Sequence, residues 1–280
     1  MNRQKSFEQE RATLYLVPTP IGNLSEMTSR ALDTLNMVDI VACEDTRNTK
    51  KLLNAYNIQK PCISHHEHNQ NVSIPQILEL LEEGKSVAVV SDAGYPLVSD
   101  PGSQLVKACI EKEIPVVSMS GANAAINALV ASGLSAVHYL FYGFLDSKSS
   151  KRKKQLQELS AFPYTMIFYE APHRIESTLE DVLEVLGNRN ICLARELTKL
   201  HEEYIRGTIS EVLEICSTLK GEMVLIVEGN TQKDVVDMEQ AVELVQAYVE
   251  QGLRTKEAIN KVAKEIGCSK NELYNLVHQQ

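Results

Sequence analysis

Residues 86–111 read SVAVVSDAGYPLVSDPGSQLVKACIE, and this stretch decides the fold class. The apolar, β-branched run at 86–91 predicts a buried strand, and a loop rich in proline and glycine follows it. The segment 103–111 then has the apolar spacing of an amphipathic helix. Because a strand followed by a helix is the repeating unit of α/β proteins, the stretch predicts an α/β fold with an open sheet.

The same alternation extends along most of the chain. Strands are predicted at 13–17, 37–43, 86–91, 114–119, 164–169, 190–194, 203–206 and 222–228. Helices are predicted at 25–35, 46–56, 73–83, 103–111, 122–132, 174–186 and 210–219. The polar stretch 146–154 has the composition of a linker, and 230–234 indicates a second boundary. We therefore expect an N-terminal tail at 1–12, α/β domains at 13–145 and 146–232, and a helical extension at 233–280.

The extension has the pattern of a helix-turn-helix. Apolar residues at helical spacing mark two facing helices: Ile259, Val262, Ala263, Ile266, Leu273, Leu276 and Val277. Gly267 permits a sharp turn between them, and Ser269 marks the start of the second helix. Such a unit either contacts nucleic acid or packs as a plain helical appendage, and the pattern leaves both open.

Composition excludes several classes of protein. The 280 residues are 44% hydrophobic and 23% charged, which is typical of a globular protein of about two domains. No run approaches the roughly 18 apolar residues of a membrane span, and the polar N-terminus lacks the apolar core of a signal peptide. The six cysteines form no CxxC pair, which fits a reduced cytoplasm and predicts neither disulfides nor a zinc ribbon.

The charge balance argues against a generic nucleic-acid binder. The net charge is −9, whereas a protein held to nucleic acid by its overall charge would be basic. Two local basic segments remain as candidate contacts, KSSKRKK at 148–154 and the stretch 253–278.

Three loops after predicted strands are rich in small residues. They are VPTPIGNL at 17–24, SDAGYPLVSDPG at 91–102 and SMSGANAAINAL at 118–129. In an open α/β sheet, ligands bind beyond the carboxyl ends of the strands. Neither GxGxxG nor GxxxxGK[ST] is present, so the loops match no dinucleotide fingerprint and no phosphate loop. Each loop alone is typical of a structural turn; together they indicate a ligand gripped mainly by main-chain groups.

Charged residues follow other predicted strands. They occur in ACEDTR at 42–47, FYEAPHR at 168–174 and RELTK at 195–199. For the first motif the alternative is structural, since Asp45 or Thr46 can cap the following helix. The run SHHEH at 64–68 predicts no metal site, because adjacent imidazoles of an extended segment point to opposite faces. A polar or substrate-facing loop is the preferred interpretation there.

Taken in order, the motifs are LVPTPIGNL, EDTR, SDAGYPLVSDPG, SGANAA, GFL, FYEAPHR, RELTK and GEMVLIVEG. This series resembles the tetrapyrrole methylase superfamily and, within it, the ribosomal small subunit methyltransferase I group. The resemblance runs from about residue 13 to residue 230 and extends to the helical C-terminus. EDTR, the SDAG-to-SDPG loop and FYEAPHR are specific as a set, because porphyrin-modifying relatives carry other residues there.

The resemblance implies two α/β domains of the class III methyltransferase type, with S-adenosylmethionine in the cleft between them, and a homodimer. The implied reaction is methylation of the ribose 2′-oxygen of a cytidine in the decoding region of 16S rRNA, presented by the small ribosomal subunit. Neither DNA nor a membrane is an expected partner.

Motif matching also carries site residues over. The implied contacts to the methyl donor are Pro20, Gly22, Asp92, Ala93, Gly94, Ser120, Gly121, Ala122, Asn123, Phe168 and Tyr169. The third loop departs from the commoner PGPSA form of the family. Ser120 and Ala122 replace its prolines and Asn123 replaces its serine, so the side chain that bonds the donor there is left open.

The reaction itself indicates which groups to seek. A neutral ribose hydroxyl is a poor nucleophile, so a nearby carboxylate or a lysine of lowered pKa would help by accepting its proton. The candidate bases are Asp45, Glu170 and Lys199. The candidate substrate-binding residues are Glu44, Arg47, His173, Arg174, Arg195, Glu196, Lys151, Arg152, Lys153 and Lys154, with the arginines orienting phosphates.

Two other functions compete with this prediction. A porphyrin-precursor C-methyltransferase of the same fold is disfavoured by the basic segment, the helical extension and the EDTR and FYEAPHR motifs. A catalytically dead regulator that binds nucleic acid through the helix-turn-helix is disfavoured because all three donor loops are kept.

Overall fold

The computed structural model describes residues 3–6, 11–99, 102–231, 238–266 and 268–278. The chain divides into two compact units, Met1–Gly229 and Asn230–Gln280. Both sheets lie in the first unit, so the predicted domain boundary near residue 146 falls inside it and stays a prediction. Of the predicted boundary segment 230–234, residues 232–234 are outside the described residues.

The first sheet is parallel throughout. Its strands are β1 (Leu14–Leu16), β2 (Ile40–Cys43), β3 (Cys62–Ser64), β4 (Val87–Val90) and β5 (Val116–Ser118). Among the described residues their order is β3-β2-β4-β1-β5, and every neighbouring pair is parallel. The helices in this half are α1 (Ser29–Met37), α2 (Thr46–Ala55), α3 (Gln70–Glu82), α4 (Ser103–Glu111) and α5 (Ala124–Ser132). Parallel strands place the loops that follow β1, β4 and β5 at one edge of the sheet.

The second sheet is mixed. Its strands are β6 (Tyr139–Phe144), β7 (Thr165–Glu170), β8 (Asn190–Arg195), β9 (Glu203–Thr208) and β10 (Met223–Val227). In the described part of the chain their order is β6-β7-β10-β8-β9, with β6 and β7 parallel and the remaining pairs antiparallel. The helices here are α6 (Ser149–Glu158), α7 (Ile175–Leu186) and α8 (Ile209–Cys216). They cover one face of the sheet, and α5 covers the other.

Local sequence explains where the elements begin. All four residues of β4 are buried, as its uninterrupted apolar run predicts. The side chains of Thr28, Asp45, Asn123 and Thr208 accept hydrogen bonds from main-chain N–H groups in the first turns of α1, α2, α5 and α8. Each therefore satisfies a donor that the helix itself leaves unpaired.

Several boundaries differ from the sequence prediction. Strands β3 and β6 were not predicted: β3 is only three residues long, and β6 is aromatic and interrupted by a glycine. Thr28 starts α1 later than predicted, and Met37, predicted to open a strand, ends that helix. The interpretation of 146–154 as a linker is wrong, because Ser149–Glu158 forms a helix whose Leu156 is fully buried.

The second unit consists of α9 (Met238–Glu250), α10 (Thr255–Ile266) and α11 (Lys270–His278). Ile259, Val262 and Leu273 are buried in its core, as the helix-turn-helix pattern predicts. The prediction that Leu276 faces the same core is wrong, because this side chain is 38% exposed and lies outside the core. The predicted turn residue Gly267 is outside the described residues. Across the described part of the chain, no helix combines the length and the apolar character needed to cross a membrane.

Candidate functional site

A cavity of about 390 Å³ lies in the first unit, where the loops after β1, β4 and β5 meet β6, β7 and β10. Its volume falls in the range of roughly 300–1,000 Å³ typical of small-ligand pockets. The lining residues are Ile21, Asp92, Ala93, Gly94, Tyr95, Val98, Ser99, Asn123, Ala124, Phe144, Tyr169, Glu170, Ala171, Pro172, Leu197, Glu222, Met223 and Val224. The three loops predicted to form one site are therefore brought together.

The loop wall is held by hydrogen bonds between loops. Thr19 and Gly94 exchange both main-chain hydrogen bonds, at 2.9 and 3.0 Å. The Ser91 hydroxyl donates to the Gly94 carbonyl at 2.9 Å. The Gly121 N–H donates to the Tyr95 hydroxyl at 3.0 Å and ties the third loop to the second. This wall is therefore preorganised, and it includes small residues such as Ala93 and Gly94.

Close approach explains the glycine of the third loop. A Cβ atom on Gly121 would lie 2.5 Å from Cβ of Pro18, closer than carbon atoms can pack. Gly94 has φ +79°, a left-handed conformation that glycine adopts without strain. The first and third loops thus touch only because residue 121 has no side chain.

Backbone strain concentrates in the two loops flanking the cavity. Outside glycine, positive φ occurs in the described residues at Asn57, Leu97, Ser99, Glu113, Glu196 and Thr198. Leu97 and Ser99 belong to the second loop, and Glu196 and Thr198 to the RELTK segment. Such conformations persist where the surrounding structure holds them, and they cluster at ligand sites. Pro101, which the proline- and glycine-rich pattern predicts to rigidify the second loop, is outside the described residues, as is Asp100.

The opposite wall carries aromatic side chains. Tyr169 lies between Phe141 and Phe144, with ring centroids 5.0 and 5.5 Å away, respectively. The prediction that Phe168 contacts the methyl donor is wrong. Its side chain is 1% exposed and packs in the core on the other face of β7. Successive side chains of a strand alternate between faces, so Tyr169 and Phe168 cannot both face the cavity.

A charged cluster lies beside this wall. The Lys199 ammonium donates to Oε1 of Glu196 at 3.0 Å and to Oε2 of Glu222 at 2.8 Å, and Glu222 lines the cavity. Burial lowers the pKa of Lys199, but its hydrogen bonds to the two carboxylates outweigh burial and leave that pKa above its ordinary value. The hydrogen bond from Lys199 lowers the pKa of Glu196. Lys199 is therefore a protonated cation at neutral pH.

Glu170 lines the cavity but is bonded internally. It is 3% exposed, and its carboxylate accepts from the Thr178 hydroxyl at 2.6 Å and from the Ala171 N–H at 2.8 Å. Arg174 Nε lies 3.3 Å from the same carboxylate, and that guanidinium also donates to the Leu145 carbonyl at 2.9 Å. The two predicted site residues Glu170 and Arg174 thus fasten the start of α7 to β7.

The EDTR motif lies outside the cavity lining. Asp45 caps α2, and the Arg47 side chain that hydrogen-bonds to it holds the pKa of this carboxyl at about 2. Glu44 is exposed, as is Arg47. A link to the site comes from the residue that directly follows the motif, since the Asn48 amide donates to the Asp92 carboxylate at 3.0 Å.

The remaining predicted substrate contacts differ in exposure. Arg195 Nε pairs with Glu203 at 2.5 Å and the same guanidinium donates to the Lys220 carbonyl, while His173 is exposed. With Glu196, Arg195 lines a shallower depression of about 290 Å³. None of Arg195, Glu196 and His173 lines the main cavity.

The basic helix α6 needs a correction. Arg152 is 2% exposed and pairs with Asp181 at 2.7 Å, so it cannot reach an RNA backbone. Lys153 pairs with Glu184 at 2.6 Å and is partly buried. Lys151 and Lys154 remain exposed on this helix.

The histidine run is not a polar loop throughout. His65 is 2% exposed, and its Nδ1 lies 2.8 Å from the Ser73 hydroxyl. Burial lowers its pKa. A search of the described residues finds no group of three or more His, Cys, Asp or Glu side chains able to hold a metal ion.

The predicted donor contacts are placed unevenly. Asp92, Ala93, Gly94, Asn123 and Tyr169 line the cavity. Pro20, Gly22, Ser120, Gly121 and Ala122 lie in its loops without lining it, and Asn123 uses its side-chain oxygen to cap α5. The lining residues that the sequence did not single out include Phe144, Leu197, Glu222 and Met223; the GFL, RELTK and GEMVLIVEG motifs contain all four.

Comparison with known proteins decides the family. The sequence model of the family Tetrapyrrole (Corrin/Porphyrin) Methylases matches residues 13–213, most of the first unit. The chain belongs to this family. The tetrapyrrole methylase fold and the S-adenosylmethionine dependence expected of it are thereby confirmed at the level of the family.

Full-length relatives narrow the group. The chain is 47% identical to ribosomal RNA small subunit methyltransferase I of Bacillus subtilis, covering 99% of each chain. It is 45% identical to the protein of the same name from Halalkalibacterium halodurans, covering 100% of each. The predicted resemblance to this group of tetrapyrrole methylases is confirmed.

Solved structures of other tetrapyrrole methylases share the fold. The methyltransferase CobJ matches with a TM-score of 0.60 at 18% identity, covering 78% of this chain and 95% of that one. Uroporphyrin-III C-methyl transferase from Thermus thermophilus, complexed with S-adenosyl homocysteine, matches with a TM-score of 0.55 at 17% identity, covering 78% and 97%. At these identities the likeness shows the fold alone.

Proposed function

We propose that this chain uses S-adenosylmethionine to methylate the ribose 2′-oxygen of a cytidine in the decoding region of 16S rRNA. The observation that carries the proposal is the cavity with one main-chain wall and one side-chain wall, in a chain 45–47% identical over its length to ribosomal RNA small subunit methyltransferases I. The small ribosomal subunit is the proposed partner.

The cavity has the chemistry to hold the donor. Ile21, Leu197, Met223 and Val224 offer apolar surface to an adenine ring, and the loop at 92–95 offers main-chain groups. The Asp92 carboxylate can accept hydrogen bonds from ribose hydroxyls or pair with an ammonium group. When bound, S-adenosylmethionine supplies a methyl group on a positively charged sulfur, so the protein mainly has to align the acceptor and receive its proton.

The three candidate bases differ in their suitability. The depressed pKa of Asp45 makes that carboxylate a weak proton acceptor, and the raised pKa of Lys199 keeps the ammonium charged. Glu170 lines the cavity, but its carboxylate oxygens already accept hydrogen bonds from the Thr178 hydroxyl and the Ala171 N–H. We therefore assign Lys199 a different role, as a cation that stabilises negative charge developing on the ribose oxygen.

Glu222 complements that role. Its carboxylate lines the cavity and contacts the Lys199 ammonium. Because Glu222 lines the cavity and Asp45 does not, the Glu222 carboxylate is in position to accept the hydroxyl proton as the oxygen attacks. Lys199 and Glu222 together would orient and activate the ribose hydroxyl.

RNA binding is proposed for exposed basic groups. Lys151 and Lys154 on α6 are available to phosphates, and the helices α10 and α11 carry Lys256, Lys264 and Lys270. Because phosphate contacts release counterions, substrate binding should weaken steeply as salt is raised. A flat salt response would contradict contacts by these groups.

We also propose a homodimer. The first unit exposes large apolar side chains, among them Val137 at 80% and Leu200 at 93%. Such side chains mark an interface where they form a contiguous patch. Light scattering during size-exclusion chromatography should give twice the 31.2 kDa chain mass.

The deciding experiment measures transfer of labelled methyl to three acceptors: small ribosomal subunits that lack the modification, free 16S rRNA, and uroporphyrinogen. We expect labelled 2′-O-methylcytidine after nuclease digestion of the subunits, with free RNA a poorer substrate. Label in uroporphyrinogen alone would favour the porphyrin-precursor enzyme. Calorimetry with S-adenosylmethionine separates the remaining alternative, because a dead regulator would show no saturable binding.

A further inference from the structure

The register of β6 contains an irregularity next to the cavity. Its pairing with β7 shifts between Phe141 and Gly143, so Tyr142 is an extra residue in the strand. Such bulges change which face of a sheet the following side chains occupy. Gly143 has φ +83°, a conformation that an L side chain resists, and this favours glycine at the bulge.

The bulge places two aromatic rings on one face. Phe141 and Phe144 are three residues apart and would point to opposite faces of a regular strand. In the structure both contact Tyr169, at 5.0 and 5.5 Å, while Tyr142 packs against Phe168 on the other face at 5.6 Å. Phe144 therefore reaches the cavity because of the bulge.

Phe144 is also exposed. It lines the cavity yet 54% of its surface is open to solvent, whereas Phe141 is partly buried against α5 and its neighbours. Ser99 of the second loop lies close to the strand at Gly143, because a Cβ atom on Gly143 would lie 3.3 Å from the Ser99 hydroxyl. The ring thus stands at the mouth of the cavity, inclined at 61° to the ring of Tyr169.

We infer that Phe144 stacks on the base of the nucleotide that is methylated, here a pyrimidine turned out of the RNA stack. The inference rests on the proposed function. The base is attached to the ribose carbon next to the one that bears the 2′-hydroxyl. A nucleotide whose 2′-hydroxyl reaches the cavity therefore brings its base to the mouth of the cavity. Exposed aromatic rings are the usual platforms for unstacked bases.

The test compares three substitutions at one position. Phe144→Ala removes the ring, Phe144→Leu keeps apolar volume without a planar face, and Phe144→Trp keeps a planar face. Loss of base stacking predicts that kcat/KM for small subunits falls by roughly 5- to 150-fold in the first two variants. Phe144→Trp should stay within about threefold of wild type, because stacking tolerates any aromatic face.

Two controls accompany the series. Tyr139→Ala removes an aromatic side chain of the same strand that is 44% exposed and does not line the cavity, and it should match wild type. Calorimetric affinity for S-adenosylmethionine and the melting temperature should be unchanged in every Phe144 variant.

Two results would overturn the inference. One is full activity of Phe144→Leu; the other is a parallel loss of donor affinity, which would assign the ring to the donor. If wild type itself fails to methylate small subunits, the proposed function fails instead. Active wild type with equally active Phe144 variants would remove this inference and leave the proposed function standing.

Discussion

The two sheets of the first unit contribute to the cavity in different ways. The parallel sheet presents short loops whose glycines and prolines bring main-chain groups to the ligand, and hydrogen bonds such as Thr19 to Gly94 hold them. The mixed sheet presents side chains, but charged groups of the sheet and of its covering helices, including Glu170, Arg195 and Arg152, are bonded internally. A charge near the end of a strand therefore says less about function than a loop of small residues.

The largest expected effect tests whether the internally bonded charges beside the mixed sheet stabilise the fold rather than bind substrate. Arg152→Ala removes the closest cation from the buried Asp181 and leaves it only the Ser149 hydroxyl and Lys153 at 3.5 Å, which should lower the free energy of unfolding by about 3 kcal/mol in chemical denaturation. Lys154→Ala on the same helix is the matched control and should change it by less than about 0.5 kcal/mol.

A double variant sharpens this result. Arg152→Met with Asp181→Leu removes both buried charges and should recover most of the lost stability, because no unpaired charge remains. If Arg152→Ala instead weakened binding to small subunits while leaving unfolding unchanged, the buried pair would not be structural.

The next effect tests the main-chain wall. Gly121→Ala places a carbon against Pro18 and must displace the first or third loop. We expect S-adenosylmethionine affinity to fall by about 100-fold, roughly 2.7 kcal/mol, in calorimetry. Gly84→Ala is the control: its Cβ meets no atom within 4 Å, so it should leave donor affinity unchanged. Unaltered affinity in Gly121→Ala would mean that the loops adapt and are not preorganised.

A smaller effect concerns the charged cluster that we place in the chemistry. Lys199→Met should lower the single-turnover rate by at least about tenfold, since one positioned charge contributes on the order of 1.4 kcal/mol or more. Donor affinity should stay within about twofold, because Lys199 does not line the cavity. Lys85→Met, which removes an exposed lysine paired with Glu83, is the control.

Parallel single-turnover measurements on Asp45→Ala, Glu170→Ala and Glu222→Gln complete that test. We expect the largest loss of these three in Glu222→Gln. If no carboxylate or lysine substitution slowed the chemical step by tenfold, catalysis by proton acceptance would be the wrong mechanism.

The smallest effect is the pH dependence of the same cluster. Folding raises the pKa of Lys199, so its ion pairs stabilise the folded state below the unfolded-state value of about 10.4. That contribution should be lost as pH rises through the higher folded-state pKa. The difference in melting temperature between wild type and Lys199→Met should thus be constant from about pH 7 to pH 9 and shrink above about pH 10.5. A difference that grew with pH would have the wrong sign.

Sequence predicted the loop wall better than the side-chain wall for a physical reason. The strand at 87–90 and the loop after it are encoded locally, by a continuous apolar run and by glycines and prolines, so their neighbours in sequence suffice. The partner of Arg152 lies 29 residues away in α7, and no local pattern reveals it. The bulge that turns Phe144 toward the cavity depends on register with β7, which the sequence of β6 does not encode.

Glu222 was missed for the same reason. It precedes the apolar run of β10 and resembles any charged residue flanking a strand. Only the folded chain brings it to Lys199. Pairing between distant segments, rather than local propensity, therefore determines which charged groups are available for chemistry.

The main-chain wall limits how this protein can be redesigned. Every residue type except proline carries the same main-chain N–H and C=O groups, so exchanging side chains leaves the main-chain groups that loops such as 92–95 offer to a ligand largely unchanged. Accommodating a bulkier sulfonium compound would require new loop geometry, whereas a different acceptor could be sought by varying Phe144 at the mouth of the cavity. The protein thus fixes one reactant in its backbone and leaves the other open to point mutation.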